Sequence, residues 1–383
     1  MRLRLAVSSL AILIGCCAAV PLSSVQSSVP PAAAGKKNPL LKLAEPWPDA
    51  DALKARRLEA EARPLFQKTD PVEFTLTANF SAINKDRNPE STTRYPATLT
   101  VTGTDGAPHD IAVRLSARGH FRRMARNCSV VPLRVEFPKE GMAGTPFDGQ
   151  TTLKLGTGCA DSKEYEQITL REYLQYPLFN LVTPLSFRAR LARATYVDDT
   201  SKKKNSARYA LFIEHENDVA RRAEGRVVEL ERVVFTDLES ESLSRMMLFE
   251  YMIGNTDMSI WALHNIRLIQ KPNRTLIVVP YDFDLSGFVH APYATPDRRL
   301  GLRSVVDRKY RGPCRTADQY DAAAAPFRAN RTDMLALVDA IKDLDQGMRS
   351  EAKEYLEGFF RQIDKPASIK RWFVDGCKPQ PTM

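Results

Sequence analysis

The hydrophobic period changes twice along this chain, and those changes limit the folds open to it. From residue 72 to about 160 apolar residues recur mainly at every second position between turn residues, the spacing of half-buried strands, and two further strands follow a helix. Strands are expected over 72–80, 95–103, 109–117, 132–137, 151–155, 190–198 and 207–215, with Thr104-Asp105-Gly106 as a hairpin turn. One helix is expected inside that half, at 164–176, ended by Pro177. Beyond residue 216 the spacing is helical. The stretch 240–253 sets Leu243, Met246, Met247, Phe249 and Ile253 largely on one face, and 331–344 and 347–363 follow, with Pro366 opening a last short segment. A second hairpin, over 266–270 and 275–279, turns at Pro272-Asn273. A strand-rich front (72–215) before a helix-rich rear (216–383) predicts an α+β, two-lobed architecture.

The first residues read as an address. Arg2 and Arg4 precede an apolar run over 5–15, the pattern of a secretory signal over 1–19 and too short for a permanent span. Leu13-Ile14-Gly15-Cys16 resembles a lipobox, which would acylate Cys16; cleavage after Ala18 or Ala19 is the alternative. Residues 20–45, rich in Ser, Pro and Ala, suit a flexible tether ahead of a domain over 46–383. The expected location is therefore the cell envelope, with a lipid anchor in the membrane. Four cysteines remain after the signal. An even number in an exported chain predicts disulfides, Cys128 with Cys159 and Cys314 with Cys377 by proximity, with free buried thiols as the alternative. The net charge of +9 permits anionic partners, but no basic stretch is interleaved with aromatics as in a nucleic-acid reader. The 5 histidines show no paired zinc spacing.

The chemistry-bearing stretch is Gly254-Asn255-Thr256-Asp257, then His264-Asn265, a hairpin, and Tyr281-Asp282-Phe283-Asp284. It sets one carboxylate past a helix end, an amide oxygen eight residues later, and two carboxylates at the end of an apolar strand. Such oxygen ligands suit Mg²⁺ or Mn²⁺, and a set this sparse expects phosphate oxygens from a nucleotide to complete it. The order matches phosphoryl transfer: an Asp that orients the attacking hydroxyl, an Asn and a strand-end Asp that hold metal. A structural calcium site or plain turn capping is the alternative. The spacing leaves open which of Asp282 and Asp284 binds metal.

With that array, Arg118-Gly119-His120 after a strand, the Leu153-Lys154-Leu155 strand and the helix near Glu166, residues 72–311 resemble the spore-coat protein H (CotH) family of atypical, secretory-type kinases. The resemblance implies a two-lobed kinase-like fold with ATP and Mg²⁺ or Mn²⁺ as cofactors. It implies Asp257 as the catalytic carboxylate, and Asn265 and Asp282, with Asp284 as rival, as metal ligands. Lys154 would meet phosphate oxygens and a helix carboxylate, Glu172 or Glu166. Glu214 would lie near the adenine side. Two features depart from ordinary protein kinases: the longer Asp257-to-Asn265 spacing, and no Gly-rich loop before the Lys154 strand. Phosphate grip is therefore expected from Arg118, with Arg122 and Arg123. His264 is expected to be a packed or hydrogen-bonded core histidine, with participation in the site as the alternative.

Three functions follow from different classes. The first is an exported kinase acting on a protein or surface acceptor. The second is a non-catalytic envelope-binding protein that keeps the fold. The third is a kinase-fold enzyme that transfers a nucleotidyl or glutamyl group.

Overall fold

Seven strands of the front half close on themselves. The computed structural model describes residues 41–200 and 205–377. In it β1 (Val72–Ala78), β2 (Tyr95–Thr102), β3 (Pro108–Ala117), β4 (Leu133–Glu136), β5 (Thr152–Thr157), β6 (Ala189–Asp198) and β7 (Ser206–Ile213) form a closed barrel, in the order β1-β2-β3-β4-β5-β7-β6. Closure comes from parallel pairing of β1 with β6, Val72 opposite Ala192 through Ala78 opposite Asp198; the other neighbours are antiparallel. Every second residue points inward, so Phe74, Leu76, Leu99, Ile111, Val135, Leu155 and Phe212 share one core. Phe147, from the β4–β5 connection, packs among Phe74, Phe137 and Phe212 at 6.4, 5.1 and 5.2 Å between ring centres.

A long helix (Lys163–Val182) follows β5, capped by Ser162, whose hydroxyl accepts from the Tyr165 N–H. It runs through Pro177, where the sequence predicted a stop. Proline removes one helical hydrogen bond and crowds the carbonyl four residues back. Here packing on both sides of it outweighs that cost: Tyr176 and Leu178 are fully buried, and Phe179 stacks on Phe249 at 4.3 Å.

The rear half builds a second core around a central helix (Ser240–Ile253), buried at nearly every position from Ser242 on. A sheet in the order β10 (Leu276–Pro280), β9 (Ile266–Gln270), β8 (Arg226–Val228) flanks it, with helices Ala317–Ala329, Arg331–Ala340 and Gln346–Ile363. The helix expected over 331–344 stops at Ala340. The Gln167 side chain holds the next segment in a turn, donating to the Asp343 carbonyl and accepting from the Asp345 N–H. The Ala317–Ala329 helix and β8 were not anticipated. The class is mixed α+β.

Both disulfides are those expected, Cys128–Cys159 and Cys314–Cys377. They close sequence separations of 31 and 63 residues. Each should stabilise the fold by about 4 kcal/mol through the entropy of the unfolded chain. A reductant should therefore lower the urea midpoint, and each Cys→Ser pair should account for a similar share. Among the described residues no helix is long and apolar enough to cross a membrane. The signal over 1–19, Cys16 and residues 20–40 of the expected tether lie outside the described residues. The end of that stretch is not a flexible tether but a helix over Leu41–Ala44, held where Arg226 donates to the Leu43 and Glu45 carbonyls.

Candidate active site

The central helix ends where Gly254 takes a left-handed conformation (φ 65°), which turns the chain toward Asp257. The turn is tied down from three sides. Asn255 Oδ1 accepts from the Asp257 N–H at 3.0 Å, and Arg311 donates to the Thr256 and Met258 carbonyls at 2.7 and 2.6 Å. Asn265 Nδ2 donates to the Asp257 carbonyl at 2.6 Å and to its carboxylate at 3.1 Å. Hairpin register brings the rest of the array in. Ile266 pairs with Pro280, and the Tyr281 N–H donates to the Asn265 carbonyl at 3.0 Å, so Asn265 sits beside Asp282. Asn265 and Asp282 both adopt positive φ, 56° and 66°. Left-handed backbone at non-glycine residues concentrates at functional sites, and here it marks two of the predicted metal ligands.

The cations come from the barrel. Lys154 on β5 is largely buried; its Nζ lies 3.5 Å from Glu216 and 4.0 Å above the Tyr281 ring, with no hydrogen-bond partner. Burial pushes this amine down to about 8, against the pull of Glu216. Arg118, one residue past β3, has a buried Nε without a partner and is close enough to Lys154, Glu172 and Tyr281 to perturb them. Tyr281 is therefore flanked by two cations, since Arg267 lies 4.5 Å over the same ring.

The helix carboxylate does not pair with Lys154. Glu172 meets Arg122 at 3.6 Å, and Arg122 also meets Asp284 at 3.8 Å, all three buried. Gly156 on β5 leaves room for the Leu211 side chain, which a Cβ there would meet at 2.6 Å. Tyr293 donates to Asp284 at 3.2 Å. One guanidinium thus faces two buried carboxyls, with Asp282 close by. Burial, then the charges of Asp284 and Asp282, push Glu172 up to about 8 despite Arg122. Burial and Asp282 push Asp284 up to about 6. A carboxyl raised from its ordinary 4.5 to about 8 stabilises the fold below pH 4.5, and that contribution is lost as pH rises through 8. Melting temperature should therefore fall more steeply between pH 5 and pH 8 in the native chain than in Glu172→Gln. Equal slopes would show that Glu172 stays ionised throughout.

The structure thus assembles Asp257, Asn265, Asp282, Lys154, Arg118 and Glu172 in one region and corrects four expectations. Lys154 pairs with Glu216, because Arg122 has taken Glu172, while Glu166 serves Arg193 and the Tyr209 N–H. Arg122 and Arg123 are not free for phosphate, since Arg123 is buried against Asp86 at 2.6 Å. Glu214 lines a small cavity of about 50 Å³ with Lys154 and Glu216, but both its oxygens are taken by Arg222 and the Arg188 N–H. His264 is exposed rather than core, 3.4 Å from Asp257, and that contact raises its imidazole. The sequence carried no signal for Glu216, Tyr176 or Gln175. Tyr176 accepts from the Asp282 N–H at 3.3 Å, and Gln175 donates to the Phe283 carbonyl at 3.3 Å. A cavity of about 1210 Å³ lies on the other face of the long helix, lined by Glu166, Tyr173, Leu174, Arg193 and Leu344, away from the array.

No family model matches the chain, and no curated protein matches it in sequence. Among solved structures, the crystal structure of a Helicobacter pylori proinflammatory kinase CtkA is similar over 75% of this chain and 92% of that one, at 10% identity and a TM-score of 0.32. A likeness at that score bears on no residue of the site.

Proposed function

We propose that the chain is a kinase-like phosphotransferase of the exported, CotH-like kind. It uses ATP with Mg²⁺ or Mn²⁺ and acts on a hydroxyl of a protein or surface acceptor at the cell envelope. The observation that carries the reading is the pair of buried cations Lys154 and Arg118 on the Asp282 side of the Asp257–Asn265 pair: Arg118 Nε has no partner, and Lys154 Nζ meets Glu216 at 3.5 Å without a hydrogen bond. Two buried cations with their hydrogen-bonding capacity so little used favour a further anion beside them. The donor set fits a hard cation: Asn265 and Asp282 offer oxygens, while among the described residues no three His, Cys, Asp or Glu cluster closely enough to hold a metal alone. When bound, the metal would neutralise phosphate charge. Lys154 and Arg118 bind phosphate oxygens. Asp257, partly exposed and fixed by Asn255 and Asn265, orients the acceptor hydroxyl and takes its proton as the new O–P bond forms and the bond from the γ-phosphorus to the β,γ-bridging oxygen breaks, ADP leaving. Two disulfides favour an oxidising compartment, and a lipid anchor at Cys16 belongs to the same proposal.

The test is thermal stabilisation by ATP with Mn²⁺, worth about 2.7 kcal/mol at a hundredfold excess over Kd. Product mass then separates phosphoryl from nucleotidyl or glutamyl transfer. Lys154→Met sharpens it. Its loss breaks the ion pair with Glu216 and the contact over Tyr281, so the melting temperature should fall somewhat, and among folded molecules nucleotide affinity should fall roughly tenfold or more. No stabilisation and no product from the native chain would favour the binding-protein reading.

A further inference from the structure

Behind the Asp257 turn lies a buried carboxyl that none of these roles uses. Glu250, on the last turn of the central helix, is 2% exposed, and neither of its oxygens has a hydrogen-bond partner. Beside it the Nδ2 of Asn255, 3% exposed, is also unpartnered. The two lie side by side, close enough for the Asn255 amide to act as a hydrogen-bond donor on the Glu250 carboxyl, and each is the other's available partner where water is excluded. Burial pushes the Glu250 carboxyl up to about 8, against Asn255 and Arg311, so near neutral pH it is mainly the uncharged acid.

Asn255 links that carboxyl to the site. Its backbone N–H donates to the Glu250 carbonyl at 2.8 Å, and its Oδ1 accepts from the Asp257 N–H at 3.0 Å. An amide has an acceptor end and a donor end. Only with Oδ1 toward Asp257 does Asn255 hold the turn, and that orientation presents Nδ2 to Glu250. An apolar residue at position 250 would leave Nδ2 buried without an acceptor, so the amide would gain by moving toward water and its Oδ1 would hold the Asp257 N–H less firmly. Arg311 and Asn265 hold the neighbouring carbonyls, but neither touches that N–H.

We propose that Glu250 is a positioning residue: by accepting from Asn255 Nδ2 it fixes which end of that amide faces Asp257, and so sets the aim of the Asp257 carboxylate. The consequence for turnover rests on the phosphotransferase reading; the consequence for the turn does not. The test compares Glu250→Leu and Glu250→Gln in the full chain. Backbone amide exchange is followed at Asp257 and, as control, at Val113 in the barrel, and kcat and nucleotide KM are measured separately with ATP and Mn²⁺. The leucine variant should speed exchange at Asp257 by about tenfold or more without affecting Val113. It should lower kcat by about tenfold or more with KM within about twofold, since misaiming a catalytic group costs rate rather than binding. Glutamine keeps an acceptor and should restore both. Native exchange at Asp257 in the leucine variant, or a glutamine variant that behaves like leucine, overturns the proposal. Should the leucine variant not fold, the native Asn255 side-chain amide decides. Slow exchange of its Nδ2 protons and nuclear Overhauser contacts to the Glu250 methylenes are expected, and their absence overturns it. A native chain with no turnover sinks the phosphotransferase reading while the exchange result still judges Glu250.

Discussion

Asp282→Asn is expected to abolish the divalent-cation dependence of nucleotide binding while leaving the fold intact. The substitution removes the charge that a hard cation needs and keeps the shape. The backbone there is left-handed, at φ 66°, a conformation asparagine tolerates readily, and the N–H bond to Tyr176 does not involve the side chain. Melting temperature should thus be unchanged or slightly higher. Asp257→Asn should do the reverse at the level of function, sparing nucleotide binding and lowering turnover by roughly 10²-fold or more, the scale for a positioned acid–base group. Asp284→Asn is the control. Asp284 is buried against Arg122 and Tyr293, so its loss should cost stability before it costs cation dependence. Cation-dependent binding that survives Asp282→Asn and disappears in Asp284→Asn would move the metal two residues along the chain. Binding and product unchanged in all three would make the array structural.

The largest stability effect should come from Arg122→Met. Arg122 is the cation facing both Glu172 and Asp284, all three largely out of water. Its removal leaves two carboxyls in a low-dielectric pocket, and breaking a buried ion pair in this way costs about 3–5 kcal/mol. Protonation of the carboxyls can relieve part of that cost, so the loss should be smaller at pH 5 than at pH 8. Both pKa shifts run upward, toward about 8 for Glu172 and about 6 for Asp284, which sets that sign. Arg122→Met combined with Glu172→Gln should recover part of the lost stability. A single variant as stable as the native chain at pH 8 would show that the cluster is wet enough to screen itself.

Much of this site could be read in the chain, because its parts lie on local features. Gly254 ends a helix, Pro272-Asn273 turns a hairpin, and an apolar strand stops at Tyr281-Asp282. Short-range stereochemistry brings Asn265 to Asp282 through strand pairing. The strands of the front half were legible for the same reason: alternation is a property of neighbours two apart. The pairing of Cys128 with Cys159 and of Cys314 with Cys377 followed from nearness in sequence.

What only the tertiary structure decided is which charge meets which. Glu172 could reach Lys154 or Arg122 as far as spacing tells, and the loop after β3, where Arg122 donates to the Thr157 carbonyl, sets Arg122 against it. Lys154 is left to Glu216, which lies 62 positions away in the chain on a short helix that sequence reasoning did not anticipate. Barrel closure likewise depends on β1 meeting β6 in parallel, a contact between residues more than a hundred positions apart. The path of the long helix through Pro177 depends on the packing of Tyr176, Leu178 and Phe179 rather than on propensity. Local pattern determined the elements and the Asp257, Asn265 and Asp282 array; the choice of ion pairs, and with it the burial of Arg122 and the pairing of Lys154 with Glu216, was made by long-range packing, because charges select partners by distance in space and low dielectric, neither of which is written in sequence spacing.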